Sequence, residues 1–92
     1  MARNRFEQVD DVQDDAITLS LWKDSDLMYG TVTIPAGLGD GKVTTDMTTD
    51  RMPLKDAFRG AIRMGNEMKA AVVVSDPDGL WQAEWGELFR PM

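Results

Sequence analysis

The chain has 92 residues, enough for one domain, of which 42% are hydrophobic and 28% charged, and it carries a net charge of −6. It contains no cysteine and no histidine. Disulfides, thiolate nucleophiles and cysteine metal sites are thereby excluded, and so are the commonest general base and the commonest zinc ligand.

Neither a cofactor nor a metal is expected, and any catalysis would have to use carboxylates, lysines, hydroxyls, a tyrosine or a borrowed cofactor. No apolar run approaches the roughly 20 residues of a membrane span, so no membrane partner is expected. The first residues turn acidic at Glu7 without an apolar core, unlike a secretory leader. A small domain without disulfide staples suits a reducing compartment, and a cytoplasmic location is expected.

Residues 1–14 are polar, with Asp10, Asp11 and Asp14 close together. So little apolar surface does not offset the entropy of ordering, and a mobile acidic tail is expected, followed by one α+β domain over residues 15–90. From Ile17 the apolar residues alternate: Ile17, Leu19 and Leu21 point one way, and Thr18, Ser20 and Trp22 the other. That is the period of a strand. After the polar turn Lys23–Asp26, the residues Met28, Gly30, Val32 and Ile34 alternate with Tyr29, Thr31 and Thr33. A second strand is predicted there, ended by Pro35 and paired with the first as a hairpin.

Residues 35–42 hold three glycines and read as a flexible connection. The stretch is not a phosphate loop. Ala36 and Val43 stand where that motif needs glycine and a hydroxyl residue, and no helix follows. The threonine-rich stretch from Lys42 to Thr49 suits a short edge strand or an extended segment.

Residues 53–70 form the clearest helical pattern. Pro53 fits a helix start. Leu54, Ala57, Phe58, Ala61, Ile62, Met64, Gly65 and Met68 fall in one arc of about 160°, with Phe58 expected at the centre of the core. Gly65 lies within the stripe, which implies close approach of the helix to the sheet. Residues 51–70 hold five basic and two acidic side chains, a local net charge of +3.

Val72, Val73 and Val74 are apolar on both parities and suit a strand buried on both faces. Asp76-Pro77-Asp78-Gly79 reads as a tight turn with positive φ at Gly79. It is not a calcium loop, because Trp81 stands where the loop needs glycine. The alternation from Leu80 to Trp85 then predicts a hairpin partner for the valine strand. The expected fold is α+β: a small, mostly antiparallel sheet with one amphipathic helix on one face, in the order β-β-α-β-β.

Two surfaces are candidate sites. Lys55, Arg59 and Arg63, spaced four apart, form a cationic ridge suited to an anion or an acidic partner. The alternative is a solvated helix face. Trp22, Tyr29, Trp81 and Trp85 all fall on predicted strands and form a candidate interaction face, because one helix covers only one side of a sheet. The alternatives are that loops and the tail cover that side, or that the tryptophans share the core beneath the helix.

No pair of carboxylates is singled out as acid and base, so no catalytic residue is assigned and the reading leans away from an enzyme. The expected function is a non-enzymatic interaction module, with a homodimer or another protein as partner. A small-molecule or anion-binding module is the second reading, and a carboxylate-dependent enzyme the third. Nucleic acid is not expected as a partner of so acidic a chain.

Overall fold

The alternating segment from Ile17 onward forms the hairpin that anchors the domain. In a computed structural model describing residues 5–37 and 45–90, strands β2 (Ile17–Asp24) and β3 (Leu27–Ile34) pair antiparallel, with Leu19 opposite Val32 and Trp22 opposite Tyr29. The turn between them is tight, and Ser25 takes a positive φ of 56°. β3 stops at Ile34, before Pro35, as the missing N–H requires.

Beyond β3 lies β4 (Met47–Thr48), a two-residue edge strand within the threonine-rich stretch. Met52 extends this edge by exchanging two backbone hydrogen bonds with Gly30. Residues 38–44, which include most of the glycine-rich connection, lie outside the described residues.

The helix α1 spans Leu54–Met68 directly after Pro53. Lys69 takes the left-handed conformation (φ 54°, ψ 42°) that usually falls to glycine, and Ala70 N–H donates to Gly65 O at 3.0 Å. Lys69, the one polar residue at the edge of the predicted apolar arc, therefore stands past the last helical residue.

The line of closest helix–sheet approach is made of small residues: Ala57, Ala61 and Gly65 are the buried positions of α1. A Cβ on Gly65 would come within 2.7 Å of Val72 Cγ2, as its place in the stripe implied. A Cβ on Gly30 would meet Ala57 Cβ at 2.5 Å, so the sheet side of the contact also needs a glycine. Phe58 is only half-buried and flanks this line, a correction to its expected central place.

β5 (Val72–Ser75) leaves the helix and runs parallel to β2, with Val74 beside Leu19. The triple valine is inside the sheet, and Val73 and Val74, on opposite faces, are both buried. Two further strands, β1 (Arg5–Gln8) and β6 (Glu87–Phe89), complete the order β4-β3-β2-β5-β1-β6.

Both of these strands correct the sequence reading. β1 (Arg5–Gln8) comes from the stretch read as a tail. It pairs parallel to β5, and its Phe6 is buried in the core at 8% exposure. β6 (Glu87–Phe89) pairs parallel to β1 and not antiparallel to β5, so the expected final hairpin is absent. The class is as expected, a small α+β domain with one helix on one face. The sheet has six strands of mixed direction where the sequence suggested four.

Parallel strands cannot be joined by a tight turn, and where one strand lies between two that are consecutive in the chain the connection must pass over it. The chain does so twice. Residues 9–16 carry it from β1 over β5 to β2, and residues 76–86 carry it from β5 over β1 to β6. The first crossing lies on the helix-free face, where Gln13 N–H donates to Thr18 Oγ1 at 3.1 Å. The second lies on the helix face, where its tryptophans meet Phe6 and Phe58. These two crossings decide what each face of the sheet offers to solvent.

Candidate functional site

Alternation along β2 and β3 assigns the two faces. Gly30 lies under Ala57, so Leu21, Leu19 and Val32 face the helix with it. Thr18, Ser20, Trp22, Tyr29, Thr31 and Thr33 face the other way. The first crossing buries Thr18 completely and covers the middle of that second face.

Towards the hairpin end the cover runs out. Trp22 is 42% exposed and Leu27 58% exposed, on the same face as the half-buried Tyr29. Trp22 is not loosely placed: its Nε1–H donates to Thr31 Oγ1 at 3.2 Å. The Arg51 guanidinium lies 4.8 Å from the centroid of the Tyr29 ring, a cation–π contact at the rim of the patch. The result is an aromatic and aliphatic surface held in fixed orientation by a sheet.

The other two tryptophans are elsewhere. Asp76 is buried, and its carboxylate accepts from Leu80 N–H (2.7 Å) and Trp81 N–H (2.9 Å). Gly79 has the expected positive φ of 71°, but these two hydrogen bonds tie down amides that an immediate hairpin ladder would use. The chain turns onto the helix face instead.

A single 3₁₀ turn, Ala83–Trp85, then brings Trp81 and Trp85 together edge to face at 5.2 Å. Trp81 packs against Phe6 at 5.4 Å and Phe58 at 5.7 Å, and its indole N–H donates to Gly86 O at 3.1 Å. Trp85 stacks on Phe58, with ring centroids 4.7 Å apart and planes 6° from parallel.

The four aromatic residues singled out in the sequence therefore do not form one surface. Trp22 and Tyr29 share the helix-free face, whereas Trp81 and Trp85 belong to the helix side, across the thickness of the sheet. Both alternatives to an uncovered aromatic face apply in part: the chain before β2 covers its centre, and two tryptophans have joined the core.

The cationic ridge is divided as well. Lys55 and Arg59 line a groove of about 440 Å³ between the first turns of α1 and the 3₁₀ turn, together with Leu54, Phe58, Gln82, Glu84 and Trp85. Arg63 does not line it. The sequence signals for this groove, a cation ridge and a tryptophan pair, were both visible. Their juxtaposition was not, because it depends on the second crossing.

Among the described residues no cluster of acidic groups is placed to hold a metal ion, and no helix is long and apolar enough to cross a membrane. Comparison with protein-family models, curated proteins and solved structures finds no match, so the functional reading rests on these two surfaces alone.

Proposed function

We propose that this domain is a non-enzymatic protein-interaction module that self-associates through the hairpin half of its helix-free face. The observation that carries the reading is the exposed Trp22, beside Leu27 and Tyr29, on a rigid sheet surface. Tryptophan and tyrosine are enriched at protein interfaces, since each covers a large apolar area and ends in a polar tip. A polar rim is already present in Arg51, in Thr31 and in the exposed Thr48, whose hydroxyl lies 3.1 Å from that of the buried Thr33. A symmetric dimer buries one such patch against its own copy and needs no second surface.

The net charge of −6 opposes association, and salt screens that repulsion. Light scattering at micromolar protein across a salt series is therefore expected to find a dimer that persists or strengthens as salt rises. Trp22→Ser is expected to convert it to a monomer without unfolding it. A monomer at every salt concentration would remove the reading.

A further inference from the structure

We propose that the groove between α1 and the 3₁₀ turn binds a small planar aromatic acid, with the aryl ring against the Phe58–Trp85 stack and the acidic group on Lys55 and Arg59. This site is independent of the self-association surface and lies on the opposite side of the sheet.

Three features of the groove combine. The first is shape: its volume of about 440 Å³ falls in the range of small-molecule clefts. Two separate elements supply its walls, the helix and the second crossing. The second feature is an aromatic lining. Phe58 and Trp85 are stacked nearly parallel and both are half-buried, so an aromatic surface of fixed orientation lines the groove. Such a surface favours a planar ring over a branched aliphatic group.

The third feature is charge placed against local stability. Lys55 stands in the first turn of a 15-residue helix, at the positive end of its dipole, where a cation is disfavoured. Arg59 follows at i+4, a spacing at which like charges repel. Among the described residues neither makes an ion pair; the two salt bridges join Arg5 to Glu87 and Arg90 to Asp10.

The groove lining has two cations against one acidic residue, Glu84, in a chain whose overall charge is −6. Asp56, in the same first turn and three residues before Arg59, offsets part of this charge, and a bound anion would relieve the rest. The guanidinium of Arg59 supplies a planar donor fork for a carboxylate, and Lys55 a second point charge one turn away.

The test uses 2-naphthoate as probe, with 2-naphthylmethanol as its neutral counterpart, followed by the indole N–H resonance of Trp85 in the full chain. Saturable shifts are expected at Trp85 and not at Trp22, weakening as salt is added. Arg59→Gln is expected to weaken naphthoate binding about tenfold, the usual scale for a charge-assisted contact. The same change should leave naphthylmethanol unaffected. Arg63→Gln, outside the groove, is expected to leave both unchanged. Both arginines are exposed, so these variants keep the fold.

Absence of saturable binding at millimolar probe would overturn the proposal. Equal affinity for acid and alcohol would also overturn it, as would equal losses in Arg59→Gln and Arg63→Gln, which would reduce the effect to diffuse positive charge.

Discussion

The two faces of this sheet both carry tryptophan, yet only one has used it to build a core. On the helix face, Trp81 and Trp85 interlock with Phe6 and Phe58, with ring centroids 4.7 to 5.9 Å apart. On the opposite face, Trp22 keeps 42% of its surface exposed and its side chain makes one hydrogen bond, to a neighbouring threonine. The residue type is the same; what differs is which crossing of the chain passes over it. The crossing at 76–86 brings aromatic rings of its own and fills the space beside the helix. The crossing at 9–16 is acidic and polar, and it covers Thr18 but does not reach Trp22. A tryptophan's environment here is decided by a connection elsewhere in the sequence.

Three substitutions would break or sharpen this contrast. Phe58→Ala should be the most damaging, at about 3 kcal/mol, the lower end for a phenylalanine deletion because the ring is only half-buried. It removes the common partner of Phe6, Trp81 and Trp85, so the fluorescence of both helix-side tryptophans should shift to the red during the same denaturation series. A loss below about 1 kcal/mol would mean that the aromatic cluster adds little to the core.

Asp76→Ala comes next, at about 2 kcal/mol. It leaves the amides of Leu80 and Trp81 without the carboxylate that accepts from both. Faster hydrogen exchange at these two amides, with β2 and β3 still protected, would locate the damage in the second crossing. Uniform loss of protection would instead make Asp76 an anchor of the entire domain.

Trp22→Ser should cost the least, under about 0.5 kcal/mol, because an exposed side chain is exchanged without opening a cavity. Measured at a protein concentration low enough to keep the chain monomeric, a larger loss would show that the helix-free face is part of the core.

Much of the architecture was legible in local pattern. Strands β2 and β3 announce themselves by period-two alternation, α1 by its apolar arc, and the buried β5 by three consecutive valines. The turn at Gly79 was legible too, since its positive φ follows from a residue type and its neighbours. β1 was not. Arg5–Gln8 offers a single apolar side chain, Phe6, and no local pattern distinguishes it from a tail. Its pairing is driven by the open edge of β5, whose backbone groups need partners, and by the place for Phe6 beside Phe58 and Trp81.

The same difference separates the two candidate sites. Lys55, Arg59 and Arg63 are neighbours because helical geometry makes them so, and Trp22 faces Tyr29 because a hairpin does. Periodicity alone therefore determined the helix face, the hairpin and the cation ridge, since each depends on residues a few positions apart. Only the tertiary structure decided that Trp85 stacks on Phe58 beside Lys55, that Phe6 is buried and that Trp22 is left exposed. Each of these depends on where a crossover lies, and a crossover is chosen by competition among strand edges and faces distant in sequence.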